Sequence, residues 1–212
     1  INDPVGFLNE NVILNTNVIM GSYESGIRDF FFLGSSCMYP KDFSQPLLES
    51  YLMAGSLEPT NEGYALSKLL GAKLCEAISR QYKLNYKTII PCNLFGENDH
   101  FVSERSHLIA AIITKITIAK KMKYKEVEIW GSGMARREFL YADDLAWFIL
   151  KNIENLDEFP LFMNIGYGKD YSVNQYYKII ARLLDYKGNF VHDLTKPEGM
   201  KAKLMSSKLA ED

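Results

Sequence analysis

The chain has 212 residues, 47% of them hydrophobic and 24% charged, with 24 Lys and Arg against 26 Asp and Glu for a formal net charge of −2. That composition is globular and excludes a disordered, collagenous or low-complexity chain, and the near balance of charge leaves no electrostatic footprint for nucleic acid or an anionic membrane. No apolar run approaches the ~20 residues that span a bilayer, and the three cysteines, Cys37, Cys75 and Cys92, have no Cys-x-x-Cys pair to predict a disulfide framework or a metal site, so a reducing, cytoplasmic setting is expected.

Asn2 or Asp3 is placed to cap a helix with Pro4 in its first turn, and Leu8, Val12, Val18 and Ile19 give it an apolar stripe that runs to Gly26. Phe30-Phe31-Phe32-Leu33 is a short continuous apolar run that reads as an inner strand of a parallel sheet. Loop follows from Cys37 to Asn61, rich in Pro and Gly. A long helix then starts at Thr60 or Asn61 and passes through Tyr64, Lys68, Leu70, Leu74 and Ile78 to about Tyr82. Lys87-Thr88-Ile89-Ile90 is strand-like up to Pro91, and a polar loop runs from Asn93 to Ser106. Helical periodicity returns from His107 to Lys120; Glu126 to Trp130 alternates like a strand; Arg137 to Tyr141 is a further strand. Asp143 opens a helix to about Ile153, Leu161 to Ile165 is strand-like, Ser172 caps a helix from Val173 to about Tyr186, and Asn189 to His192 forms a last short strand. No internal repeat interrupts this order.

Strands alternating with helices of this length predict an α/β fold on a parallel sheet, with a smaller mixed lobe in the second half. In such a sheet, ligands lie outside the carboxyl ends of the strands. Three stretches follow apolar runs and are the candidates: Gly34 to Cys37, Pro91 to Asn93, and Gly166 to Gly168.

Tyr64-x-x-x-Lys68 puts a phenol and an ammonium on one helical face. A phenol of pKa ~10 is a poor acid or base at neutral pH, and a nearby cation that stabilises the phenolate brings it into range. Taken alone the pair is also an ordinary surface pair. Ser35 or Ser36, at the end of an apolar strand, supplies a hydroxyl able to hold a carbonyl oxygen while the tyrosine protonates it. Ser, Tyr and Lys are the working set of the short-chain dehydrogenase/reductases.

Longer stretches sharpen this likeness. Gly34-Ser35-Ser36-Cys37-Met38-Tyr39-Pro40, Leu57-Glu58-Pro59-Thr60-Asn61-Glu62-Gly63-Tyr64-Ala65, Asn93-Leu94-Phe95-Gly96-Glu97-Asn98-Asp99 and Ser106-His107 resemble the GDP-L-fucose synthase family of extended short-chain dehydrogenase/reductases. Trp130-Gly131-Ser132-Gly133, Arg136-Arg137-Glu138-Phe139-Leu140, Asp143-Asp144-Leu145, Asn164-Ile165-Gly166 and Lys196-Pro197-Glu198-Gly199 continue the likeness in the family's order. The resemblance implies a Rossmann-type NADP-binding part over 1–105 and a nucleotide-sugar lobe over 106–212, with segments around 137–165 returning to the first part. It implies NADPH-dependent 3,5-epimerisation and 4-reduction of a GDP-4-keto-6-deoxy sugar, carried out by a homodimer that pairs the helices beginning near Asn2 and Asn61.

By the same resemblance, Tyr64 would protonate the C4 oxygen, Lys68 would lower its pKa and hold the nicotinamide ribose, and Ser35 would hydrogen-bond the C4 oxygen. Cys37 and His107 would be the acid/base pair for protons at C3 and C5, carbons acidified by the adjacent ketone. A thiol and an imidazole both titrate close enough to neutrality for that work. Cofactor contacts are expected from Leu33, Gly34, Ser35 and Ser36, from Pro91, Cys92, Asn93 and Leu94, and from Tyr64, Lys68 and His107. Lys115, Trp130, Arg137 and Ser206 are expected to touch the nucleotide sugar, Trp130 by stacking and Arg137 through its guanidinium. Cys75 and Cys92 match no catalytic position, and His100 and His192 receive no role.

The sequence also departs from the family. None of its 14 glycines makes a G-x-x-G-x-x-G or G-x-G-x-x-G loop, the family's pyrophosphate cradle. The expectation is that roughly 60–75 residues precede this chain, at ~30 per βαβ unit, and that these residues alone would bind NADPH poorly. Lys115 stands where the family has Arg, which removes bidentate geometry. In Ala202-Lys203-Leu204-Met205-Ser206, Ala202 and Ser206 replace the usual Arg and Asp. Alternatives are a reductase-only or epimerase-only enzyme for a GDP-4-keto-6-deoxy-heptose, or a non-catalytic subunit. A 4,6-dehydratase fits less well, since Ser36-Cys37 stands where that relative has Asp-Glu.

Overall fold

The computed structural model describes residues 3–101, 106–196 and 199–211. Asn2, the alternative first cap, and Pro197-Glu198 of one motif lie outside the described residues.

Helix α1 spans Pro4–Glu24. Asp3 caps it, its carboxylate accepting the Gly6 amide at 2.9 Å, while Pro4 takes the first position, where no intrahelical donor is needed. Gly26 follows its end at φ +79 and turns the chain into β1, Asp29–Leu33. Helix α2, Glu62–Tyr82, stops at Lys83 in the left-handed region, φ 57. The next strands are β2, Asn85–Pro91, and the short β3, Asn93–Phe95. Helix α3, Leu108–Met122, leads to β4, Glu126–Trp130, and β5, Arg136–Tyr141. Helix α4, Ala142–Asn152, continues through a 3-10 segment, Ile153–Glu158, to β6, Phe162–Ile165. Strand β7, Asp170–Ser172, leads to α5, Val173–Leu183, whose cap Ser172 exchanges bonds with Gln175 in a capping box. Strand β8, Asn189–Asp193, and α6, Lys208–Glu211, complete the order.

Strands β1, β2 and β6 form one parallel sheet in that order, with β2 central. Strand β1 is therefore parallel as expected, paired with β2 among the described residues. Strand β5 pairs parallel with β3 and antiparallel with β7, while β4 pairs parallel with β8. The segment from α4 to β6 thus rejoins the sheet of β1 and β2, whereas β5 belongs to a separate small sheet.

Two apolar clusters hold these layers. The first gathers Phe32, Leu69, Cys75, Ile89, Ile90, Met163 and Met205 between α2 and the parallel sheet; the second gathers Ile112, Ile116, Ile129, Tyr177 and Ile180 between α3, α5 and β4. Burial of each such side chain contributes about 1.5–3 kcal/mol. Gly71 lets α2 lie on β1, because a Cβ there would stand 2.5 Å from the Phe32 ring. The C-terminal stretch returns to the first cluster: Leu47 donates to Leu204 O at 2.8 Å and Ser206 donates to Leu47 O at 2.9 Å, a bridge that buries Met205.

Candidate active site

Strands β1 and β2 run parallel and adjacent, so their carboxyl ends open on the same edge. There they form one wall of a cavity of about 1220 Å³. The facing walls come from α2, the first turns of α3, Trp130 at the end of β4, and Arg137 on β5. Every expected site residue except Ser206 lines this cavity. Ser206 instead spends its amide on Leu47. The residue this segment brings toward the site is Lys203, whose Nζ lies 3.3 Å from the Cys37 sulfur.

The third expected strand end, Gly166 to Gly168, does not open on the cavity, because a carboxylate fills it. Glu138 is fully buried and accepts from the Gly168 amide at 2.6 Å and the Met205 amide at 3.1 Å. Burial pushes its carboxyl above the ordinary range. A Cβ on Gly166 would run into that carboxylate, so the glycine allows the close approach. Glu138 therefore ties the end of β6 to the C-terminal segment.

At the end of β1, Ser35 caps a short 3-10 turn, Ser36–Met38, and its hydroxyl accepts the Cys37 amide at 3.2 Å. This turn places Cys37 beside Ser35 on the cavity wall, while Ser36 is largely buried. Tyr64, on the first turn of α2, lines the cavity with Ser35. Burial and the neighbouring Cys37 push its phenol up, and the nearby Ser35 hydroxyl pulls the other way. Lys68 donates to Leu33 O at 2.9 Å, with its ammonium 5.8 Å from the Tyr64 ring centre. Burial raises the phenol and lowers Lys68, whose ammonium is turned to the strand-end carbonyl.

Cys75 and Cys92 are both buried, and burial pushes their thiols up to about 12, which removes them from acid/base work near neutrality. His107 stands just before the first turn of α3 and lines the cavity; its side chain is 75% exposed, and its Nδ1 lies 3.0 Å from Asp99 Oδ1. Trp130 donates to Glu128 at 2.9 Å, and the ammonium groups of Lys115 and Lys196 stand 5.1 and 5.4 Å from the ring centre. Arg136 is committed to Asp170 through contacts at 3.0 and 2.7 Å, while Arg137 lines the cavity and donates to Met200 O at 2.7 Å. Asp99, Lys196 and Lys203 lie inside stretches quoted from the sequence, yet their closeness to His107, Trp130 and Cys37 is tertiary.

Residues 1–166 match the model of the NAD dependent epimerase/dehydratase family. The chain belongs to that family. It is 50% identical over its whole length to GDP-L-colitose synthase of Yersinia pseudotuberculosis, covering 69% of that protein. It is 47% identical over 97% of its length to GDP-L-fucose synthase of Azorhizobium caulinodans, of which it covers 66%. Among solved structures, the GDP-mannoheptose C4 reductase of Campylobacter jejuni with NADP bound superimposes with a TM-score of 0.86 at 28% identity, over 98% of this chain and 70% of that one. The family's enzymes use a nicotinamide dinucleotide, and NADP(H) is the cofactor of this epimerase-family chain. The residues present fit its nicotinamide end: two open strand ends, with Tyr64 and the Lys68 ammonium beside them, line one cavity.

Proposed function

We propose that the protein epimerises C3 and C5 of GDP-4-keto-6-deoxymannose and reduces C4 with NADPH, giving GDP-L-fucose. The observation that carries this reading is that Ser35, Cys37, Tyr64, Lys68 and His107 line a single cavity. Both steps place negative charge on the same atom. Removing a proton from C3 or C5 sends its electron pair into the C4 ketone as an enolate, and reduction turns that oxygen into an alkoxide. Ser35 and Tyr64 line the same cavity and are suited to hold this oxygen, with Tyr64 giving it a proton in the reduction.

Cys37, in the turn after β1, and His107, at the start of α3, line the same cavity, and in this reading they act on opposite faces of a carbon. Lys203 sets a positive charge beside the sulfur that exchanges a proton. Lys68 and the ends of β1 and β2 would hold NADPH, which would supply the hydride. Trp130, flanked by Lys115 and Lys196, is placed to stack on a planar or sugar surface with cations beside a diphosphate, and Arg137 offers a guanidinium from the cavity wall.

A second reading is favoured by the 50% identity to a GDP-L-colitose synthase. Colitose has no oxygen on C3, so only C5 would need inversion. A GDP-4-keto-6-deoxy-heptose, closer to the solved structural relative, is a third substrate for the same site. The test follows NADPH absorbance and solvent-deuterium incorporation together on each ketone. Deuterium at C3 and C5 with NADPH oxidation supports the first reading. Oxidation without deuterium would remove the acid/base roles of Cys37 and His107.

The outer faces of α1 and α2 expose Leu14 at 60% and Leu70 at 45%, which supports a homodimer joined along these helices. Three free thiols fit a reducing, cytoplasmic compartment.

A further inference from the structure

The loop after β3 carries a carboxylate that takes no part in the chemistry above. Asp99 stands eight residues before His107, and its Oδ1 lies 3.0 Å from His107 Nδ1. The same oxygen accepts the His100 amide at 2.7 Å. The loop is fastened to α3, because Thr114 donates its hydroxyl to Phe101 O at 2.6 Å. The Asp99 side chain is only 11% exposed, and its Oδ2 is buried without a hydrogen-bond donor among the described residues. A buried carboxylate oxygen without a donor costs stability, so folding alone does not account for an acidic residue here.

We infer that Asp99 is a positioning residue that holds the proton of His107 on Nδ1 and thereby presents Nε2 to the cavity as the nitrogen that exchanges protons with the sugar. An ionised carboxylate only accepts hydrogen bonds, so in this pair Nδ1 carries the hydrogen and the neutral ring keeps its lone pair on Nε2. When Nε2 takes a proton from carbon, the C–H electron pair passes into the ketone, and the imidazolium that forms stands beside a negative charge. When Nε2 returns a proton, Nδ1 keeps its own. The inference rests on the proposed acid/base role of His107.

The test uses full-length protein with 15N-labelled histidine rings, compared as wild type, Asp99→Ala and Asp99→Glu, with His107→Gln to assign the resonances. The wild type is expected to carry the His107 proton on Nδ1. Asp99→Ala should move it to Nε2 and cut deuterium incorporation into the sugar by at least about tenfold, part of the 10²–10⁴-fold that a positioned acid/base group supplies. Asp99→Glu should restore Nδ1 protonation and part of the exchange. Reduction of the already epimerised ketone should stay at the wild-type rate in both variants, which also shows that they are folded. A wild-type proton on Nε2, or Asp99→Ala exchanging at the wild-type rate, would overturn the inference. Wild-type protein with the Nδ1 proton in place but no sugar exchange would keep the pairing and overturn instead the role of His107.

Discussion

The proposed proton donor, Tyr64, is kept protonated by its surroundings. Burial and the neighbouring Cys37 raise its phenol above the ordinary 10.0, so the protonated form persists at neutral pH and is lost only as pH rises through that higher value. The rate of C4 reduction should therefore show no alkaline fall from this group below pH 10.0; a pH profile of NADPH oxidation measures it. Tyr64→Phe removes the donor and should slow reduction by about 10²–10⁴-fold. Cys37→Ser keeps the size of the side chain but not its acidity. It should abolish deuterium incorporation while leaving reduction of the epimerised ketone active. The closeness of Ser35, Tyr64 and Lys68 was legible only through the family resemblance, since the spacing of Tyr64 and Lys68 alone also fits an ordinary surface pair. The partnerships of Asp99 with His107 and of Lys203 with Cys37 were not, because they join segments with no shared periodicity.

Packing of α2 on β1 sets the distance between Tyr64 and Ser35, and it depends on Gly71. A methyl group at that position meets the Phe32 ring, so Gly71→Ala should destabilise the protein by about 1–3 kcal/mol through overpacking, despite the better helix propensity of Ala. Chemical denaturation followed by circular dichroism reads this directly. The long helices and apolar strands were legible because their periodicity extends over several turns or pleats. Strands β3 and β7 were not: each is three residues long, and each exists by pairing with β5. Glu138 shows the other limit. In the sequence it is one charged residue within a predicted strand, with no role assigned, yet it is fully buried and binds the Gly168 amide at the third strand end that the topology offered to a ligand.

Apart from the residues that line the cavity, α1 and α2 expose Leu14 and Leu70. If α1 and α2 join two copies, Leu14→Glu combined with Leu70→Glu should convert a dimer to a monomer in light scattering, with secondary structure retained. The near-neutral charge agrees with a site that meets a diphosphate through a few placed cations rather than a basic surface. In the proposed function, one cavity performs both proton exchange beside a ketone and its reduction. Incubation of the full-length protein with GDP-4-keto-6-deoxymannose and NADPH in deuterium oxide tests it most directly. Equimolar NADPH oxidation, with deuterium at C3 and C5 of the product, is the predicted result; oxidation that leaves both carbons unlabelled, or no oxidation at all, would contradict it.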